Sequence, residues 1–394
     1  MNDWLILAVV YLTLFVSSPL IAILHELGHA FAYLILTKPD NIDIYIGTYS
    51  QPKNGIHFKT GKINFYIKRS FPFVKGIGLC KSGKPETDYL NYIIILLAGT
   101  VFTLFAAALL SIIAFNANAH LLVQISCYIF LGLSVLSLIN NLVPRNVDMF
   151  YNKISLNSDG KQLAFVMKLK TALPDYIEAR EHYYKNEFEQ AKIKLKEVLV
   201  ITPSQEDILR LLVATTIALK QYKEAANYAA LLEENGEQTI DDLLNKGYLQ
   251  SVNHQHHEAI LTYQKALKKD RNNLIALSNI GYELIEEGAH EVALRALEKA
   301  IKLDPKFYLP YSNLGYSKIL QNELDAGKVL IDKSLELNDA NADAYKALGI
   351  YHLKLKDINQ AQTNFNKAAE LDKDIDLSTY TAEIKLLQEQ VANI

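Results

Sequence analysis

The chain has 394 residues, with 40 Lys and Arg against 43 Asp and Glu, and 50% of its residues are hydrophobic. This length predicts two or three domains, and the near-neutral charge gives no support to nucleic-acid binding. The two cysteines, Cys80 and Cys127, lie far apart and exclude a small secreted domain built on disulfides. Basic residues outnumber acidic ones by 12 to 8 in residues 1–163, whereas acidic residues lead by 35 to 28 in residues 164–394. Two chemically different halves are therefore expected.

Long apolar segments in the first half predict membrane-spanning helices. Residues 4–37 contain no Lys or Arg and a single acid, Glu26, and residues 89–144 contain no charged side chain. Both segments exceed the roughly 20 residues that span a bilayer. A cleaved signal peptide does not fit the first segment, because no basic residue precedes it and it is too long. A polar break near residue 118 divides the second segment, so we expect three helices, at about residues 4–37, 89–115 and 121–143.

Basic residues beside these helices predict their orientation. Nine lie between Lys38 and Asp88, and three more follow the third helix, at Arg145, Lys153 and Lys161. The N-terminus and the turn near residue 118 have none. Because Lys and Arg are enriched in short cytoplasmic loops, we expect a multi-pass protein of a bacterial plasma membrane, with its N-terminus outside and its C-terminal half in the cytosol.

The first basic loop carries a strand pattern. Apolar side chains alternate with other residues in two runs, Ile42, Ile44 and Ile46, and Ile63, Phe65 and Ile67. This alternation predicts a small β-rich region within residues 42–80, beside the membrane. Two interpretations remain open at this point, namely a sheet that contacts a substrate and a solvated cytosolic loop with one hairpin.

The second half has an internal period of 34 residues. Small residues recur at this spacing, most clearly at Gly247, Gly281, Gly315 and Gly349. With the alanine columns that follow, this register resembles the tetratricopeptide repeat, a pair of helices. We expect a linker at residues 164–171, six repeats at 172–375 and a polar capping helix at 376–394.

The repeat pattern specifies architecture and names no ligand. The resemblance implies a scaffold whose groove binds a protein or peptide, and the alternative is a passive spacer. His254, His256 and His257 form a cluster within one repeat. We assign no metal to them, because no cysteine or carboxylate accompanies them at ligand spacing.

The chemistry is predicted in the first helix, at an H-E-x-x-H motif formed by His25, Glu26 and His29. At 100° per residue the two imidazoles lie on one face, a single turn apart, where they can bind one zinc ion. Glu26 is then placed to deprotonate a water that the metal polarises. Two histidines and a carboxylate are costly in an apolar segment unless they face a metal or a cavity, which favours a functional interpretation.

Residues 1–163 resemble the site-2 protease family of intramembrane zinc metalloproteases. In that family the helical H-E-x-x-H supplies two zinc ligands and the base, and an N-x-x-P followed by Asp-Gly supplies the last ligand. This chain has Asn141 and Pro144 at the end of its third apolar segment, and Asp159 and Gly160 beyond it. The family's membrane-associated sheet implies that residues 42–80 pair with an unwound substrate strand.

The chain departs from the family pattern in two places. Asp159 follows Pro144 by 15 positions, where about five is common, so the intervening segment must fold back towards the metal. Asp148 has the more usual spacing but no following glycine, and we favour Asp159. The second helix has Ala-Gly-Thr at residues 98–100 in place of Gly-Pro, which leaves Gly99 able to allow close helix approach.

The resemblance implies an intramembrane zinc endopeptidase that cleaves a transmembrane segment of a protein substrate. Its zinc ligands would be His25, His29 and Asp159, with Glu26 as the base. Asn141 has two open roles, either stabilising the oxyanion or positioning the substrate, or ending the helix before a proline. The predicted fold is mainly α, with a three-helix transmembrane core, a small sheet and a repeat solenoid.

The sequence also allows a second interpretation of the function. The chain would then be a catalytically inactive, membrane-anchored repeat adaptor with a structural zinc site. The intact Glu26 argues against it, because a structural site has no need of a base. In both cases the predicted partners are the lipid bilayer and a protein or peptide in the groove.

Overall fold

The computed structural model describes residues 3–48, 51–52, 55–69, 78–83, 88–144, 146–147, 156–203 and 205–392. The chain forms two units, Met1–Pro203 and Ser204–Ile394. The expected fold class is confirmed at the level of a mainly helical chain with a small sheet and a C-terminal helical repeat array. A transmembrane metalloprotease core stays a prediction.

Three long helices begin the first unit: α1 (Asp3–Leu36), α2 (Tyr89–Asn116) and α3 (Leu121–Leu142). Each is long and apolar enough to cross a membrane, and all three contact one another. Large apolar side chains stay exposed on them, among them Leu12, Phe105 and Leu136. Soluble proteins rarely expose so large an apolar area.

Small residues allow the helices to approach closely. A Cβ atom built on Gly28 of α1 would lie 2.5 Å from the Ala98 carbonyl oxygen and 2.8 Å from Gly99 Cα, so the expected role of Gly99 in close helix approach is confirmed. Hydroxyl groups add polar contacts between helices, and Thr13 Oγ1 lies 2.9 Å from Ser126 Oγ across α1 and α3. Close packing and such hydrogen bonds hold helices together where no hydrophobic effect acts between them.

The predicted strands form one sheet against α1. Its strands are β1 (Ile42–Ile46), β2 (Gly55–Thr60), β3 (Ile63–Lys68) and β4 (Gly78–Ser82), in the order β2-β3-β1-β4. β1 pairs parallel with β3 and antiparallel with β4. The isoleucines of β1 are buried against one side of α1, around Leu27, Ala30 and Leu34. The region is therefore more than a loop with one hairpin, and β4 is an outer strand.

The segment after α3 returns to the helices. β5 (Asn146–Val147) and β6 (Leu156–Asn157) pair antiparallel, and α4 (Asp159–Leu169) with a 3-10 turn (Lys170–Ala172) follows. Residues 164–171 were expected to be a linker, and this expectation is wrong. Val166, Leu169 and Ala172 are buried at helical spacing, and α4 packs on α2 and α3.

Six helix pairs and a last helix make up the repeat array. Their bounds are α5 (Leu173–Tyr184), α6 (Phe188–Ile201), α7 (Glu206–Ala218), α8 (Tyr222–Asn235), α9 (Ile240–Val252), α10 (His256–Lys269), α11 (Leu274–Glu286), α12 (His290–Leu303), α13 (Leu309–Leu320), α14 (Leu324–Leu337), α15 (Ala342–Lys354), α16 (Ile358–Leu371) and α17 (Ser378–Ala392). The first pair belongs to the first unit, since α5 follows α4 through buried residues and Phe165 contacts Tyr176.

The backbone repeats with the 34-residue period of the sequence. The turn within each pair contains one residue with positive φ, and these residues are Asn186, Lys220, His254, Gly288, Asn322 and Lys356. The periodic glycines sit under the large side chain of their own pair, because a Cβ on Gly281 would lie 2.5 Å from Leu297. These turn residues show that the 34-residue period also holds in the first two helix pairs, whose sequences match it only loosely.

The first helices of the pairs form the inner layer of the second unit. α7, α9, α11, α13 and α15 contact each other in succession, whereas each second helix contacts its own partner and the next first helix. In a solenoid, helices that contact their counterparts in successive repeats line the concave side. We call this surface the groove. α17 covers the end of the array with Ile384, which is 3% exposed.

Candidate metal centre

The two histidines of the motif lie side by side on α1. Their rings meet edge to face with centroids 4.7 Å apart, and the two Nε2 atoms are 3.1 Å apart. The helical spacing of four residues accounts for this, since such residues lie one above the other.

Asp159 joins them from the start of α4. Its Oδ2 lies 3.0 Å from His25 Nε2 and 3.6 Å from His29 Nε2. The two residues that flank Asp159 determine the conformation of the turn that begins α4. Ser158 caps α4 and donates a hydrogen bond of 2.9 Å to the Val143 carbonyl, and a Cβ on Gly160 would overlap the Leu142 carbonyl.

The long spacing between Pro144 and Asp159 is explained by the strand pair β5 and β6. Because Asn146 pairs with Asn157, residue 157 lies beside the point where the chain leaves α3. Asp148, the alternative third ligand, lies outside the described residues.

The three ligand atoms lie within a few tenths of an ångström of the spacing that zinc requires. Protein ligands about 2.0–2.2 Å from a tetrahedral zinc ion lie roughly 3.3–3.6 Å from one another. The separations among His25 Nε2, His29 Nε2 and Asp159 Oδ2 are 3.0, 3.1 and 3.6 Å. Among the described residues, this is the group of His, Cys, Asp and Glu whose ligand atoms converge. The donor set therefore fits one zinc ion with an open fourth position.

A backbone carbonyl orients His29. Its Nδ1 lies 2.6 Å from the Ile95 carbonyl oxygen on α2. A carbonyl oxygen only accepts, so Nδ1 carries a proton and donates it, and with zinc bound the Nε2 lone pair would be free for the metal. Such an outer hydrogen bond is typical of metal-binding histidines.

Asn141 lies beside His25, near the end of α3. Its amide group is 3.5 Å from His25 Nδ1 and 3.5 Å from Ser137 Oγ. Either end of the amide can face the ring, since the oxygen and nitrogen are assigned from the hydrogen bonds. With His25 bound to a metal through Nε2, the amide oxygen would accept a hydrogen bond from Nδ1–H.

The carboxylate of Glu26 is enclosed by strand β4. Glu26 is 6% exposed and accepts a hydrogen bond from the Cys80 backbone amide. Gly78 makes room for it, because a Cβ there would lie 2.5 Å from Glu26 Oε1. The sequence pattern did not identify Gly78 and Cys80 as neighbours of the site, since nothing local links them to α1.

The two histidines control the charge of Asp159. Burial opposes ionisation of this carboxyl, but hydrogen bonds with His25 and His29 outweigh it and hold the pKa of Asp159 well below its usual range. Asp159 is thus an anion at neutral pH, as a zinc ligand must be.

The histidines of the third repeat do not form a comparable cluster. His256 Nδ1 lies 2.7 Å from Glu283, and His257 Nδ1 lies 3.5 Å from Glu287. The rings of His254 and His256 are 6.0 Å apart. Two of the three histidines therefore pair with separate glutamates.

Gly99 provides a test of the site. A Cβ at this position would lie 2.5 Å from His29 Nε2, so Gly99→Ala is expected to displace the histidine and weaken zinc binding roughly 10-fold or more. Gly132→Ala on α3 is the matched control, since no atom lies within 4 Å of its Cβ position. Competition with a zinc chelator measures both. Equal affinities of the two variants would contradict the packing of Gly99 against the ligand.

Comparison with known proteins identifies the repeats. Residues 275–307 and 342–375 match the tetratricopeptide repeat family model, so the predicted repeats are confirmed there. None of the curated proteins matches the sequence. One similar solved structure is YrrB, described as a TPR protein with an unusual peptide-binding site, at 20% identity and a TM-score of 0.37, covering 44% of this chain and 89% of that one. Another is a tetratricopeptide repeat protein from Parabacteroides merdae, at 14% identity and a TM-score of 0.44, covering 55% and 98%.

Proposed function

We propose that this protein is an intramembrane zinc endopeptidase that hydrolyses a peptide bond within a transmembrane segment of another protein. One observation carries the proposal: three ligand atoms converge at zinc spacing beside a buried glutamate. They do so between helices long and apolar enough to span a bilayer. Polar groups at this depth are costly and mark functional sites.

The donor set favours a catalytic over a structural zinc site. Structural sites use four protein ligands, often cysteines, whereas His25, His29 and Asp159 make three and leave a position open. Zinc bound there would act as a Lewis acid on the substrate carbonyl and on a water molecule. Glu26 would accept the proton of the attacking water and pass it to the amide nitrogen that leaves. The Asn141 amide would hold His25 in its ligand orientation.

Strand β4 would present the substrate. It is one of the two outer strands of the sheet, and its Cys80 amide donates a hydrogen bond to Glu26. An extended substrate segment that added to this edge would lie beside the base. An unwound strand is also the form in which a peptide bond is accessible, because a helix encloses its backbone.

The repeat array would select the substrate or a regulator. Tetratricopeptide repeats form a groove suited to proteins or peptides, and the array contributes none of the residues assigned to the metal or the base. The partners of the whole chain would then be a transmembrane protein substrate, the lipid bilayer and a protein bound by the repeats.

The proposal predicts zinc binding. The purified protein is expected to carry about one zinc per chain, and the double variant His25→Ala/His29→Ala to carry none. Elemental analysis of protein that keeps its helical circular dichroism gives both values. Absence of zinc from the wild type, or an unchanged content in the double variant, would contradict the assignment of the ligands.

It also predicts topology in a bacterial plasma membrane. The basic residues between Lys38 and Asp88 would place the N-terminus outside and residues 164–394 in the cytosol. In sealed right-side-out vesicles, an external protease is expected to spare the repeats and to digest them only after lysis. Digestion before lysis would reverse the orientation.

A further inference from the structure

The first and last helix pairs of the second unit meet through side chains. The turn between α7 and α8 carries Lys220, and the connection between α16 and α17 carries Asp372 and Asp374. The ammonium of Lys220 lies 2.6 Å from Asp372 and 3.1 Å from Asp374, although Lys220 and Asp372 are 152 positions apart in the sequence. The Tyr222 hydroxyl donates a further hydrogen bond of 3.4 Å to Asp374. We call residues 372–374 the acidic turn.

Packed structure holds the acidic turn in place. The Asp372 carboxylate accepts a hydrogen bond of 3.1 Å from the Asp374 backbone amide, which fixes the turn internally. Phe365 of α16 and Ile384 of α17 are 1% and 3% exposed and belong to one core cluster, so the helices on both sides of the turn are anchored. The two carboxylates are therefore presented by the end of the array itself.

The backbone also fixes the position of Lys220. Its amide donates a hydrogen bond of 2.9 Å to the Ile217 carbonyl, and the Gln221 amide donates one of 2.8 Å to the Thr216 carbonyl. Lys220 has a φ of 60°, in the left-handed region, and Lys356 has a φ of 62° at the same turn position of the last pair. Lys356 is exposed and, within the described part of the chain, forms no ion pair within 4 Å. The two lysines thus share a local conformation and differ in their partners.

A link between the first and last pairs is unusual in a solenoid, where each repeat contacts only its neighbours. The curvature of such an array is the sum of small rotations between repeats, so small changes spread over several pairs can separate its ends. The three charged side chains are 40%, 46% and 42% exposed. Exposed ion pairs stabilise only weakly, and salt screens them. The contact can therefore favour a closed array and still be broken easily.

We infer that Lys220 and the acidic turn form a latch that holds the array closed and that opens when these ion pairs are broken. A protein segment that is anchored in a membrane cannot be threaded through an array whose ends are joined, so opening would precede its binding. The latch would thus regulate the binding role proposed for the repeats, while its opening can be measured without that role.

The test measures the distance between the two turns in the full-length protein in detergent. Spin labels are attached at Lys223→Cys and Lys373→Cys, which are exposed positions beside the two sides of the latch. The native Cys80 and Cys127 are first replaced by serine, and this labelled protein is the parent. Double electron–electron resonance gives the distribution of distances, and circular dichroism checks that the helices persist.

Three variants of the parent separate the latch from general charge effects. Lys220→Glu replaces the attraction by repulsion, and Lys220→Glu/Asp374→Lys exchanges the charges so that an ion pair can form again. Lys356→Glu is the matched control, because it makes the same substitution at the same turn position of another pair.

We expect the parent to show mainly one short distance, and Lys220→Glu to raise the ratio of open to closed molecules roughly 10-fold or more. The control is expected to change this ratio less than about 2-fold, and the charge exchange to restore most of the short distance. Sodium chloride at about 1 M should open the parent, since it screens exposed charges beyond about 3 Å.

Equal shifts in Lys220→Glu and Lys356→Glu would overturn the latch, since they indicate a general effect of charge. A short distance that neither salt nor Lys220→Glu changes would overturn it too, and so would an exchange of charges that restores nothing. These distances are measured without a substrate, so they decide on the latch independently of zinc binding and cleavage.

Discussion

Replacement of Asp159 by alanine is expected to lower zinc affinity at least about 100-fold and to abolish cleavage. The carboxylate oxygen completes the triangle with His25 Nε2 and His29 Nε2, at 3.0 and 3.6 Å. Without it, two histidines remain, and two ligands hold zinc weakly. Titration against a chromogenic zinc chelator measures the loss, and circular dichroism checks that the helices persist.

Asp148→Ala is the matched control for this variant. It removes the same side chain from the alternative candidate, and zinc content and cleavage are expected to stay near wild type. Normal zinc in Asp159→Ala together with loss in Asp148→Ala would transfer the third ligand to Asp148. Normal zinc in both variants would indicate a site with only two protein ligands.

Glu26→Gln is expected to reduce cleavage by about 10²- to 10⁴-fold, the range typical of a lost general base. Glutamine has nearly the same shape, so it still fits against Gly78 and can accept the hydrogen bond from the Cys80 amide. It cannot accept a proton from water. Zinc content is expected to stay unchanged, because Glu26 does not belong to the converging ligand group.

The two readouts of this variant separate the possible roles of Glu26. Retained zinc with lost cleavage identifies a base. Loss of both would make Glu26 a support of the metal site, and retention of both would remove it from the chemistry. A protein that binds zinc but shows no cleavage even as wild type would correspond to the membrane-anchored adaptor.

Local periodicity accounts for what the sequence could predict. The spacing of His25 and His29 places both on one face of a helix, and the 34-residue register of the glycines predicts the helix pairs. Alternation of isoleucines predicted β1 and β3. It did not predict the order β2-β3-β1-β4, because that order depends on pairing between strands that are distant in the sequence.

The sequence did not predict the contacts between segments that are distant along the chain. The Ile95 carbonyl orients His29 through the backbone, which no side-chain pattern records. The return of Asp159 to the metal site depends on the pairing of β5 with β6, two strands of only two residues each. The supposed linker at 164–171 did carry a signal, since Val166, Leu169 and Ala172 recur at helical spacing.

The most direct test is a search for new protein ends in membranes. Cells that express the wild type or Glu26→Gln at equal levels are compared by mass spectrometry of the amino termini of their membrane proteins. We predict that at least one protein acquires a new amino terminus inside an apolar segment of about 20 residues, with the wild type only. Identical sets of amino termini in the two cell lines, with both proteins loaded with zinc, would contradict an intramembrane protease.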